Sequence, residues 1–137
     1  MGSHLLSKSS FIRGVQCEKH LYLYKYHYKE MDQLSDMQKA IFKRGTDVGK
    51  LAQQLFPGGI DASPESQFEY DKAVVVTKNL LNEKQKVIYE ASFSSSDVLA
   101  IADIVVNEKS GLKVFEVKSS TSISETYIRD AALQYWV

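Results

Sequence analysis

Three ionisable side chains interrupt two otherwise apolar, β-branched stretches: Asp103 within Ile101–Val106, and Glu116 and Lys118 at the end of Leu112–Lys118. The residues between, Glu108-Lys-Ser-Gly111, have turn chemistry, so the whole predicts a hairpin. With those four residues as the loop, Asn107 faces Leu112, and counting outward sets Asp103 opposite Glu116. Cross-strand partners share a face with Cβ atoms about 4.5–5.5 Å apart, and the two-residue repeat of a strand adds Lys118 to that face. Two carboxylates and an amine on a buried sheet are costly without compensation. A divalent cation compensates, and hard carboxylate oxygens suit magnesium or manganese. The plainer reading is a solvated strand face on which the three charges share no task. The near-continuous hydrophobic runs favour two central strands covered on both sides, and with them the cation site.

The elements that must position this hairpin follow from the rest of the chain. Ser7 or Ser9 caps a short first helix with Phe11, Ile12 and Val15 as its apolar side. In Cys17–Tyr28 the tyrosines at 22, 24, 26 and 28 alternate as in a strand, while Leu21, Tyr24 and Tyr28 keep helical spacing. Ser35–Phe56 is the clearest helix, with Met37, Ile41, Val48, Leu51, Ala52 and Leu55 on one face, Asp36 at its start and Pro57-Gly58-Gly59 stopping it. Gly45 and Gly49 lie one turn apart inside it, and close packing against the sheet is the expected reason. Ile60–Glu65 reads as a loop and Ser66–Asn82 as a helix using Phe68, Val75, Val76, Thr77 and Leu80. Lys86–Phe93 is then the first strand, carrying Glu90, and Ser94–Asp97 is a polar turn into the hairpin. After Lys118 comes a hydroxyl-rich loop. Ser124 caps a last helix from Glu125 whose Ile128, Ala131, Ala132 and Tyr135 are expected to face the sheet.

The bulk properties bound the answer. The 137 residues make one domain with one core, and 44% hydrophobic with 25% charged residues is an ordinary globular mixture. No run is long and apolar enough to span a membrane. Met1-Gly-Ser-His4 lacks an apolar leader and resembles a tag remnant, so residues 1–5 are set aside. One cysteine forbids an internal disulfide and suits a reducing cytoplasm. Net charge is zero, but residues 1–56 carry nine Lys/Arg against five Asp/Glu, and residues 57–137 eight against twelve. A basic front half beside an acidic site suits a phosphodiester drawn to bound cations.

Asp103 followed by Glu116-Val-Lys118 resembles the D…(D/E)-x-K motif of the PD-(D/E)XK nuclease superfamily. The nearest likeness is to its RecB-like branch, which includes the CRISPR-associated exonucleases, and within it to a bacterial group of unknown function. Leu6-Ser-Lys-Ser-Ser-Phe11, Cys17, Leu55-Phe-Pro-Gly-Gly59, Glu90-Ala-Ser-Phe93, Glu116-Val-Lys-Ser-Ser120 and Gln134-Tyr135 carry it, in the right order along nearly the whole chain. The resemblance implies an α/β (α+β) fold with a restriction-endonuclease-like core: helix, antiparallel β-meander, helix, with no sequence left for the fourth core strand. It also implies a helix after Cys17. It makes Asp103, Glu116 and the Val117 backbone carbonyl ligands of Mg²⁺ or Mn²⁺, with Glu90 as a further ligand or acceptor to one. Lys118 becomes the catalytic cation, and Gln134 and Tyr135 stand where the branch's Q-x-x-x-Y helix holds substrate; its tyrosine would fall one place past Val137. Where many of these nucleases carry a metal-binding histidine this chain has Gly49. Iron–sulfur members need several thiolates, so no such cluster is expected within this chain, and Cys17 is expected to be a small buried hydrophobe. The implied reaction is hydrolysis of DNA phosphodiesters. The alternatives are a non-catalytic nucleic-acid-binding or interaction module that keeps the fold, and a structural domain with no nucleic-acid role. An unpaired sheet edge and an apolar C-terminal helix predict a homodimer or an oligomer formed by exchange of elements.

Overall fold

The computed structural model describes residues 5–66 and 69–137. Leu6–Ser7 forms β1, and Ser7 at once caps α1 (Lys8–Gln16), its hydroxyl accepting from the Ser10 N–H. α2 (Glu18–Tyr26) follows, so the alternating tyrosines lie on a helix, with Tyr22 and Tyr26 exposed. Cys17 joins the two helices in extended backbone and is exposed, not the buried hydrophobe expected, because it lies at the joint between α1 and α2 and not on a buried helix face. α3 (Asp36–Gln53) starts at Ser35 with a full capping box to Gln38. Then come β2 (Ile60–Asp61), α4 (Tyr70–Asn82), β3 (Val87–Ser95), β4 (Val98–Glu108), β5 (Gly111–Phe115) and α5 (Glu125–Trp136). Phe68, expected on the face of α4, lies outside the described residues.

Together, among the described residues, these make an α+β fold: five α-helices around one curled, mixed sheet. The order helix, antiparallel meander, helix is present as α4-β3-β4-β5-α5. The sheet runs β1-β4-β3-β2, with β5 also on β4, beyond β1 along the same strand. β1 and β2 join in parallel, and each is only two residues long, too short for any periodicity to reveal. The β3–β4 hairpin turns through Ser96 and Asp97, both at positive φ, the geometry that matches strand twist in a two-residue turn. The β4–β5 register is the expected one, with Asn107 facing Leu112 and Ile104 facing Phe115.

The core lies on both sides of β3 and β4. Ile88, Ala91, Ala102 and Val105 pack with Ala62 and, from α4, Leu80 and Leu81. Val87, Ile104 and Val106 pack with Tyr89, Ala52, Phe56 and Val117. α4 sits close to β3 because its inward residues Ala73 and Thr77 are small, and the Thr77 hydroxyl accepts from the buried Ser92 N–H at 2.9 Å. Val75 and Val76, expected to face inward, are exposed instead. β5 is not a covered central strand: all five residues are exposed, since it has β4 on one side only.

α3 departs furthest from expectation. Met37, Ile41, Leu51 and Leu55 are 50–78% exposed, and a Cβ at Gly45 or Gly49 would meet nothing within 4 Å. The glycines therefore do not serve packing against the sheet. A helix of 18 residues is about 27 Å long, and the sheet edge nearest its end is the two-residue β2. Only Ala52, and Phe56 just beyond the helix, reach the core.

Candidate active site

Glu90 and Asp103 stand directly opposed at the middle of the β3–β4 pair. The ladder runs in one register on both sides of them, Tyr89 to Ile104 and Ala91 to Ala102, yet the two acids themselves are unpaired. Glu90 has φ +51, a left-handed conformation that is strained for a glutamate in a strand. The side-chain alternation breaks at both residues. Ile88 and Ala91 share one cluster while Val87 and Tyr89 join the other, and Ala102 and Val105 are likewise split from Ile104 and Val106. The sheet therefore kinks at its two acids. Tyr89 anchors the kink: its hydroxyl donates to the Phe56 carbonyl at 2.5 Å and accepts from the Gly59 N–H at 3.2 Å. Its ring lies so close to Gly59 that a Cβ there would come within 2.2 Å of it, which explains the glycine.

Across β4, Asp103 meets the segment that follows β5. Its Oδ2 accepts from the Val117 N–H at 2.6 Å. A side chain thus takes a donor that the ladder would have used, and β5 ends at Phe115. Beyond it the two-residue alternation continues: Val117 packs on the core, while Glu116 and Lys118 turn together to the other side.

There Glu116 is gripped from three elements. Lys118 donates to Oε1, Lys8 from the first turn of α1 donates to the same oxygen at 2.8 Å, and Gln134 of α5 donates to Oε2 at 2.7 Å. Lys118 also donates to Asp130 Oδ2 at 3.0 Å, and Lys8 lies 3.6 Å from Asp130 Oδ1. Asp130 is 6% exposed. Cavities of about 480 and 410 Å³ flank the cluster. The first is lined by Lys8, Lys25, Tyr24, Tyr70, Glu90 and Asp103, the second by Lys8, Arg13, His20, Lys118, Tyr127 and Asp130, among others.

The electrostatics divide the acids. Burial, then the nearby Asp103 and Asp61, push the Glu90 carboxyl up to about 7. Burial also raises Asp103; the Val117 N–H opposes this and Glu116 adds to it. Burial alone would raise Glu116, but the hydrogen bonds from Lys118, Lys8 and Gln134 outweigh it and hold that carboxyl below its ordinary value. Burial would lower Lys118, but Glu116 and Asp130 push it up to about 12. At neutral pH Lys118 is therefore a fixed cation.

The expected residues Asp103, Glu116, Lys118, the Val117 backbone, Glu90 and Gln134 all meet here. Tyr135 does not join them: it is 96% exposed on the outer side of α5. The inward face of α5 is Tyr127, Asp130, Leu133 and Gln134, rotated from the predicted one, with Ile128 and Tyr135 outside. Two of those inward residues are polar because their partners are Lys118 and Glu116, and an apolar stripe could not reveal that. Lys8 and Asp130 are the participants not foreseen. The only signal for Lys8 was its place in Leu6–Phe11, and for Asp130 its position one turn before Gln134.

The donor chemistry fits a hard divalent cation. Three half-buried carboxylates stand near one another, and burial, with their mutual repulsion added, raises two of them. No hydrogen bond or ion pair reaches Glu90 from the described residues, and the buried Gln134 Oε1 lacks a hydrogen-bond partner among them. Among the described residues no three His, Cys, Asp or Glu side chains form a ready-made cage. Magnesium is commonly held by one or two carboxylates with waters completing its shell, and Asp103 and Glu116 are the carboxylates that could be such donors here. No helix among the described residues is long and apolar enough to cross a membrane. No family model matches the chain, and neither a curated protein nor a solved structure matches it.

Proposed function

We propose that this chain is a Mg²⁺- or Mn²⁺-dependent phosphodiesterase acting on DNA, with a core of the PD-(D/E)XK type, RecB-like, working in the cytoplasm. One juxtaposition supports the reading: Asp103, bonded to the Val117 backbone, beside a Glu116 that shares its face with Lys118. The helix–meander–helix order around it agrees with such a core. Asp103, Glu116 and the Val117 carbonyl would hold the cation, with Glu90 at its margin. Bound there, a divalent cation supplies Lewis acidity toward the phosphate and the attacking water. Lys118, held as a cation by Glu116 and Asp130, stabilises the negative charge that builds on the phosphate. Asp130 fixes its ammonium from the opposite side, and Gln134 orients Glu116.

The test is cleavage of single- and double-stranded DNA in Mn²⁺ or Mg²⁺. Lys118→Ala is expected to lower the rate by about 10²–10³, and Asp103→Asn to abolish the metal-dependent cleavage. Equal cleavage by wild type and Lys118→Ala would mark a contaminant and sink the proposal. A second reading, a non-catalytic module that keeps the fold, draws on Glu116 having both oxygens already engaged. Mn²⁺ binding that Asp103→Asn removes, with no cleavage by the wild type, would decide for it.

A further inference from the structure

If the acidic centre is a cation site, the position of Lys8 has a consequence for how that site loads. Lys8 is the first residue of α1, placed by the β1–β4 pairing immediately before it. Its ammonium donates to Glu116 Oε1 at 2.8 Å, with side chains 23% and 15% exposed at the two ends. It therefore occupies one of the oxygens that a cation would take. Lys118 holds the same oxygen, but the two ammoniums are not equally bound. Lys118 has a second hydrogen bond, to Asp130 Oδ2 at 3.0 Å, whereas Lys8 is 3.6 Å from the other Asp130 oxygen, beyond hydrogen-bonding distance. Lys8, like Ser9, lines both flanking cavities, so its four-carbon stem has space to swing away, while the Asp130 hydrogen bond keeps Lys118 in place.

We propose that Lys8 is a resident counter-ion of Glu116 that a divalent cation must displace. It neutralises the crowded carboxylates when no cation is bound, and its departure lets the oxygen coordinate metal. The site therefore binds metal more weakly than its donor set would allow. The displaced ammonium swings into the cavity beside Lys25, where it faces an incoming anion. Two ammoniums already share that oxygen, so a divalent cation arriving there repels the less firmly held one, Lys8, and the two compete; this rests on the reading of Asp103 and Glu116 as metal ligands.

Calorimetric titration of the whole chain with Mn²⁺ tests the claim, with no dependence on activity. Lys8→Met, which keeps the stem and removes the charge, is expected to bind about tenfold tighter than wild type. Lys8→Arg, and Lys113→Met, which removes a charge paired with Glu108 on β5, are expected to stay near wild type. Equal or weaker binding by Lys8→Met overturns the role of Lys8 and leaves the cation site standing. Binding by none of the four overturns both. Should Lys8→Met fail to fold, ¹⁵N-detected lysine ammonium spectra of the wild type decide. A Lys8 signal protected from exchange in chelator and lost on adding Mg²⁺ supports displacement, and one that persists at saturating Mg²⁺ refutes it.

Discussion

Glu90 shows how a single residue can hold conflicting demands. It adopts a left-handed backbone, and burial, then the nearby Asp103 and Asp61, push its carboxyl up to about 7. A carboxyl raised on folding binds its proton more tightly in the native state. Its contribution to stability is complete below about 4.5 and is lost as pH climbs through about 7. A shift of that size corresponds to about 3 kcal/mol, and screening at a partly exposed site reduces it to about 1 kcal/mol. In chelator, Glu90→Gln is therefore expected to raise stability by about 1 kcal/mol at pH 8 and to leave it nearly unchanged at pH 4.5; glutamine keeps the backbone strain, so that term cancels. Urea unfolding at both pH values checks it, and an equal effect at both would refute the assignment. Asp103, Glu116 and Lys118 could be placed from sequence because hairpin register needs only a turn and a count. Lys8 and Asp130 could not, since their role depends on which helices close over the sheet.

At the scale of elements, α3 and α5 show what periodicity can and cannot establish. Local chemistry located the start of each: Asp36, favourable at a helix N-terminus, for α3, and the cap Ser124 for α5. The faces were wrong in different ways. α5 turns polar residues inward to meet Glu116 and Lys118, and α3 leaves its apolar stripe largely in solvent. The second case yields a sharp test. Glycine in a helix interior costs about 0.8–1 kcal/mol relative to alanine, and a Cβ at Gly45 meets nothing. Gly45→Ala is expected to stabilise the monomer by about that amount, measured as an increased denaturation midpoint with unchanged slope. Destabilisation would mean that something packs on that face after all. Gly59→Ala should do the opposite, because its Cβ collides with the Tyr89 ring that anchors the kinked strand.

For the molecule as a whole the informative quantity is surface. A compact monomer of this mass should expose about 7,200 Å², whereas the chain exposes 10192 Å². The surplus, roughly 3,000 Å², exceeds the roughly 800 Å² per partner of a standard interface. Exposed large apolar side chains include Met37, Ile41, Phe42 and Leu51 on α3, Leu112 and Val114 on β5, and Ile128, Tyr135 and Trp136 on α5. Patches of this extent are characteristic of surfaces that another chain covers, and an unpaired strand edge adds backbone donors and acceptors. Sedimentation across about 1–100 µM, the range in which interfaces of modest affinity form, is expected to show mass rising above one chain. Two variants then locate the contact. Leu51→Lys should return a monomer if α3 mediates it, and Trp136→Ala if the β5–α5 side does. A single 15.5 kDa species at the highest concentration would mean that these surfaces remain in water, and α3 would then be the first element to lose hydrogen-exchange protection, since only its last turn reaches the core.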